Sequence, residues 1–345
     1  MSHTPDKSFL TDGEKALAMP LLSVTQSPII APSGDIHDYV TLATYAWRNP
    51  DSPDGLPYII RDGETNPETE RYPDRKNVEL LITSIRHLAS AYRASQDERY
   101  ARKAIELLGA WFLAGETRMN PNLNYAQIVP GHNNGLGTAA GIIETHNFVD
   151  LLESLEKLES SASVTPQCKD PLSQWLTDYL SWLQTSPNGL QAAQFKNNQL
   201  TWYLAQQVAI AWFLGNTGLA KSILKNALNN TLPAQFDEAG LQPYEITRTN
   251  SFHYSLVNLQ GWFALARLGN KMGMDVWYEQ AGNGASLSKA FDFLLPYATA
   301  QSIWPYQEIR PYDLSLMTSL LKQAEAAYPE KSSLYETALA QLKVF

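Results

Sequence analysis

Arg248 and Tyr254 stand six residues apart in AGLQPYEITRTNSFHYSLVNL, residues 239–259. Six residues is about 1.7 helical turns, so the two share a face only if the helix begins after Arg248, near Ser251. A guanidinium beside a phenol favours the phenolate, which would make Tyr254 a usable acid and base. The neighbouring His253 supports that pair or lies on the helix surface. A second cluster opens FKNNQLTWYLAQQ, residues 195–207, where Asn197, Asn198 and Gln199 precede an apolar pattern that includes Trp202. Consecutive carboxamides at a helix start act as caps or grip a carboxylate with help from the helix dipole. A third cluster, residues 117–148, gathers Arg118, Asn120, Asn122, Asn124, Tyr125, Gln127, His132, Asn133 and Asn134. Such a loop hydrogen-bonds sugar hydroxyls or folds on itself through Asx-turns. His132 and His146 are potential ligands, but their spacing fits no metal site, and neither a metal nor another cofactor is expected.

The elements around these clusters read as helices. Val78, Leu81, Ile82, Ile85, Leu88, Ala89 and Tyr92 form one stripe, and Tyr100, Ala104, Leu107, Leu108, Trp111 and Phe112 another. Further helices are expected at roughly 137–159, 170–185, 198–214, 217–229, 252–271, 284–295, 311–326 and 332–343. GNTG at 215–218 and GNKMG at 269–273 are helix stops. Almost nothing reads as a strand, so the chain is all-α, built of helical hairpins that stack as a solenoid or close into a toroid. No fixed repeat is visible, which counts against the common solenoids. Residues 20–76 carry turn signals and no helical period. With His37, Tyr39, Tyr45, Trp47, Tyr58 and Arg61, this stretch suits a lid or cleft wall. Long polar loops are expected at 116–136, 190–201 and 235–251.

The chain has 345 residues and a formal charge of −9, with 9 Trp, 17 Tyr and 11 Phe. There is no basic stripe, so nucleic acid is not an expected partner. Abundant aromatics suit either a carbohydrate groove or a large helical core. No apolar run approaches the ~20 residues of a membrane span, so no membrane partner is expected. The lone Cys168 excludes an internal disulfide. The first residues lack the pattern of a signal peptide. As it stands the chain is expected in the cytoplasm; a processed form would be secreted or periplasmic.

NPNLNYAQIVPG, KNNQLTWY, PYEITRTNSFHYSLVNL and WPYQEI (304–309), with SGDIHDYVTLATYAW and PDGLPYIIRDGETNPE before them, resemble the alginate lyase-type polysaccharide lyases, and families five and thirty-eight in pattern. The resemblance covers residues 20–310 in the family's motif order. It implies an (α/α) toroid, an incomplete barrel of helical hairpins with a long N-terminal loop segment. Residues 1–19 are expected to be an N-terminal extension, and 20–345 a single domain. It further implies β-elimination on a uronate polymer, with Tyr254 as the catalytic Tyr, Arg248 as the active-site Arg, and Asn198 as the Asn that neutralises the substrate carboxylate. Tyr125, Asn124, His132, Asn197, Trp202, His253, His37 and Trp47 are the expected substrate-binding residues. Three positions depart from the family: Gln199 replaces a His, Ile36 a Lys and Ala46 an aromatic.

Elimination removes the C5 proton, α to the carboxylate, and expels the 4-O-linked sugar. Asn198, Gln199 and Arg248 would neutralise that carboxylate. In mannuronate and glucuronate both proton transfers lie on one face of the ring, so a single Tyr serves for both. Guluronate requires groups on opposite faces, and Gln199 cannot titrate near neutral pH. The expected partner is therefore an acidic polysaccharide or oligosaccharide of the mannuronate or glucuronate type, cleaved in the syn sense. The same departures also fit a small acidic metabolite handled by a repurposed toroid, as a lyase or cyclase, and a non-catalytic carbohydrate-binding protein.

Overall fold

The computed structural model describes residues 7–342. These are mostly helical and group into two compact units that meet in sequence at Ala192 and Ala193. Among the described residues no helix is long and apolar enough to cross a membrane.

The first unit opens with α1 (Lys7–Leu17), which packs against α2 (Asp74–Ser95) and touches α3 (Glu98–Phe112). Gly13 permits the close approach, because a Cβ there would meet the Ala91 Cβ at 2.4 Å. Tyr100 donates its hydroxyl to Glu14 at 2.6 Å and ties α1 to α3. The expected N-terminal extension thus carries a docked helix, and its residues 1–6 lie outside the described ones. Helices α2 and α3 form a hairpin on Gln96, in left-handed backbone (φ 59°), and Asp97, whose side chain caps α3. Their apolar stripes are buried as the periodicity requires.

The segment between α1 and α2 is more ordered than its turn-rich sequence suggests. It contains β1 (Val40–Leu42), β2 (Ala46–Trp47) and β3 (Ile59–Ile60). β2 and β3 pair antiparallel, while β1 pairs in parallel with β4 (Tyr125–Ile128). A small core of Leu42, Ala43, Ala46, Tyr58 and Val129 lies beneath them. Strands of two to four residues are too short for a period-two pattern to show in sequence.

The helix expected over 137–159 is divided into a 3₁₀ stretch, Ala139–Thr145, and α4 (Phe148–Lys157). The reason is contact with β4. A Cβ on Gly137 or Gly141 would lie 2.2 or 2.7 Å from the Ala126 carbonyl oxygen, so this segment presses on the strand's backbone. α5 (Pro166–Thr185) follows, then α6 (Pro187–Ala192), which runs into the expected loop at 190–201 and shortens it from its start. Phe112, Phe148, Trp175 and Tyr179 pack as an aromatic cluster between these helices.

The second unit contains α7 (Asn198–Phe213), α8 (Thr217–Asn226), α9 (Leu232–Gln235), α10 (Ser251–Lys271), α11 (Leu287–Ala298), α12 (Leu314–Ala327) and α13 (Ser332–Leu342). α8 runs into α9 through a π-helical turn, Ala227–Thr231. Gly215 and Gly273 end α7 and α10 with φ of 76° and 72°, as the GNTG and GNKMG stops require. Every residue from Thr201 to Ala211 of α7 is buried, so this helix is covered on all sides. α10 lies against it, and at Gly261 a Cβ would meet Thr201 Cγ2 at 2.9 Å.

Candidate active site

In the second unit, polar side chains gather at the starts of α7 and α10. Asn197 is the N-cap of α7, its Oδ1 accepting the Gln199 N–H at 3.3 Å. The capping reading of the carboxamide run therefore holds at Asn197. Asn198, the next residue, is buried and engages a partner that periodicity and spacing do not reveal. Its Nδ2 lies 3.1 and 3.0 Å from the two carboxylate oxygens of Glu245, and its backbone N–H donates to Oε1 at 2.5 Å. Gln199 is half-buried beside it.

Glu245 belongs to the lead-in of α10. This helix starts at Ser251, which leaves Arg248 on the lead-in and Tyr254 on the first turn. The Arg248 guanidinium carbon then lies 3.8 Å from the centroid of the Tyr254 ring, a cation–π placement over the ring. Tyr254 is half-buried, and the His253 ring meets it edge-on at 5.3 Å. Burial lowers the His253 pKa below the usual imidazole value, against the pull of Asp313 and with the help of Arg310 and Arg248, so this ring favours its neutral form. Burial raises the Glu245 carboxyl to about 7, while its bonds from Asn198 and the charge of Arg248 oppose that rise.

A buried hydrogen-bonded chain holds the lead-in in place. Gln235 Nε2 donates to the Asn197 carbonyl at 3.0 Å, and Gln235 Oε1 accepts from Trp262 Nε1 at 2.7 Å. Thr201 Oγ1 lies between Gln235 Oε1 and Asn258 Oδ1, at 2.9 and 2.6 Å. Asn258 Nδ2 donates to Gln242 Oε1 at 2.9 Å, and Gln242 Nε2 to the Ser255 carbonyl at 3.0 Å. Buried amides with satisfied partners specify one backbone arrangement.

The WPYQEI segment supplies the remaining restraint. Asn250, at the N-cap of α10, makes no side-chain cap bond. Glu308 takes over, its carboxylate accepting the Phe252 N–H at 2.7 Å and the N–H of His253. Ser251 donates from both N and Oγ to the Gln307 carbonyl, and Trp304 Nε1 donates to Ser251 Oγ at 2.7 Å.

The other expected binding residues fall differently. Trp202 is a correction: it is 4 % exposed, and its indole N–H donates to the Val257 carbonyl, so it fills the α7–α10 contact. His37, Trp47, Asn124, Tyr125 and His132 lie in the first unit, each with its own local role or position. His37 Nδ1 is 2.6 Å from the Arg118 carbonyl, and His132 Nε2 is 2.9 Å from the Tyr58 carbonyl. Trp47 donates to the Glu64 carbonyl and carries Arg61 over its ring. Asn124 Oδ1 accepts the Trp182 indole N–H at 2.8 Å, and Tyr125 is half-buried on β4.

The family profile described as Alginate lyase matches residues 23–304. The crystal structure of an alginate lyase from Bacteroides ovatus is 35% identical, with a TM-score of 0.92, and the match covers 98% of this chain and 89% of that one. Alginate lyase A1-III from Sphingomonas species A1 is 14% identical, with a TM-score of 0.59, over 95% of this chain and 92% of that one. A variant of alginate lyase A1-III complexed with tetrasaccharide is 16% identical, with a TM-score of 0.59, over 92% of this chain and 85% of that one. No match was found among curated proteins. The chain belongs to the alginate lyase family of polysaccharide lyases, and its fold is all-α, of the (α/α) toroid class.

Proposed function

We propose that this protein cleaves a uronate-containing polymer by syn β-elimination, with Tyr254 as both base and acid. The observation that carries the reading is the guanidinium of Arg248 set 3.8 Å over the ring of Tyr254 at the start of α10. Membership of the alginate lyase family supports the reaction class, and the tetrasaccharide held by a fold relative supports an acidic oligosaccharide as ligand.

The reaction needs no co-reactant. The Tyr254 phenolate takes the C5 proton, the electron pair forms the C4=C5 double bond, and the C4–O4 bond breaks. The proton on Tyr254 then passes to the departing O4. Negative charge builds on the substrate carboxylate as C5 loses its proton, so donors fixed around that carboxylate lower the barrier. Arg248, Asn198 and Gln199 are the groups assigned to it. His253, whose ring meets Tyr254 edge-on, is assigned no proton transfer. Gln199 donates hydrogen bonds without titrating, which leaves one proton-transferring group on one face of the ring. Mannuronate and glucuronate satisfy that geometry, and guluronate does not.

The test is the near-ultraviolet absorbance of the 4,5-unsaturated product on polymannuronate, polyguluronate and glucuronan. Product is expected from a mannuronate or glucuronate polymer and not from polyguluronate. Tyr254→Phe should lose at least about 10²-fold in kcat with an unchanged Tm. Equal rates on polymannuronate and polyguluronate, or an active Tyr254→Phe, would sink the mechanism. Binding of oligosaccharide without product from any polymer would favour a binding protein instead.

A further inference from the structure

Glu245 takes no part in the proton transfers, yet it touches both sides of the site. It is 1 % exposed, and its carboxylate faces the start of α7. Asn198 Nδ2 sits almost midway between its two oxygens, at 3.1 and 3.0 Å. One nitrogen centred on two acceptors is a three-centre arrangement that uses one of the two amide hydrogens. The other hydrogen is left to point elsewhere. Three residues along, the Arg248 N–H donates to the Glu245 carbonyl at 3.0 Å, and the Arg248 charge acts on the Glu245 carboxylate. One residue thus clasps a carboxamide on α7 with its side chain and the backbone of Arg248, on the lead-in to α10, with its carbonyl.

We propose that Glu245 is a positioning residue for the elimination, presetting Asn198 and Arg248 as a pair of donors for the substrate carboxylate. The inference rests on the lyase reading above and adds a role to it. Donors fixed in advance stabilise charge that develops in the transition state without reorganising. Their effect falls on kcat more than on KM. Without the clasp, the Asn198 carboxamide can turn over and offer its carbonyl oxygen to the substrate carboxylate, a repulsive contact. Gln at 245 has the same size, but its own NH₂ opposes that of Asn198 and forces the same turn.

The experiment compares the full-length chain with Glu245→Gln, Asn198→Ala and the double variant, on whichever uronate polymer the unaltered protein cleaves best. Glu245→Gln is expected to lose about 10- to 100-fold in kcat with KM held within about 3-fold. The double variant should be no slower than Asn198→Ala alone, because Glu245 acts through Asn198. Glu245→Asp keeps the charge but withdraws it by one methylene, and should not restore the rate. Should Glu245→Gln fail to fold, Glu245→Asp carries the same comparison. Glu245→Gln with kcat within about 2-fold of the unaltered chain, or losses that multiply in the double variant, overturns the proposal. An unaltered protein that makes no unsaturated product from any uronate polymer overturns the lyase reading and this role together. Normal turnover with an indifferent Glu245→Gln overturns this role alone.

Discussion

In the proposed mechanism, Gln199 is the residue on which substrate stereochemistry turns. It sits at the start of α7, next to Asn198, whose side chain is clasped by Glu245. An imidazole in its place could take or give a proton, whereas a carboxamide cannot. Gln199→His is therefore expected to raise cleavage of polyguluronate relative to polymannuronate, read as the ratio of initial rates of unsaturated product. An unchanged ratio would mean that residue 199 does not face the reacting ring carbons. At this scale the sequence was informative where partners are near neighbours: Arg248 and Tyr254 are six apart, and once the helix starts at Ser251 they meet. It was silent on Glu245, because that residue's bond reaches 47 positions back to Asn198 and no spacing encodes it. It misled at Trp202, since an aromatic at helical spacing looks the same whether it lines a groove or fills a core.

The start of α10 is an element held from outside itself. A helix whose N-cap side chain makes no cap bond leaves backbone N–H groups to be satisfied elsewhere, and here the Glu308 carboxylate accepts those of Phe252 and His253. Glu308→Ala should lower unfolding stability by about 1–2 kcal/mol, measured by denaturant titration. It should also lower kcat, because Tyr254 rides on that turn. Stability unchanged within error would show that another group takes over the capping. Helices as elements were legible from period and from the GNTG and GNKMG stops, while the starts of α11 and α12 lie three residues later than expected, at the caps Ser286 and Asp313. The exceptions have local causes. Residues 139–145 are 3₁₀ because Gly141, with Gly137 just before the stretch, lies against the Ala126 carbonyl, and the strands between α1 and α2 are too short to announce themselves. Ala46, where the family resemblance expects an aromatic, is wholly buried in the small core beneath those strands, with Asn66 donating to its carbonyl at 2.6 Å.

For the molecule as a whole, buried acids set a pH dependence. Burial raises both Asp74 and Glu245 to about 7. An acid whose folded pKa lies above its unfolded value keeps its proton in the native state where the unfolded chain would release it. Its contribution therefore grows as pH falls through about 7 and is lost as pH rises. Burial lowers His146 and His253, whose opposite effect begins as pH falls below the unfolded imidazole pKa of 6.5. Between pH 8 and about 6.5 the carboxyls dominate, so Tm should rise on acidification, by on the order of 1 kcal/mol of stability per group. Glu245→Gln should remove its share of that slope; a Tm that is flat or falls over this window would contradict the assignment. The clasp on α10 bears on where the working part of the chain ends. Recognisable similarity to the family profile stops at residue 304, but the groups that pin Ser251 and Phe252 belong to Gln307 and Glu308. A shortened protein cut at that border would retain its phenol and guanidinium while forfeiting the anchor of the helix that presents them.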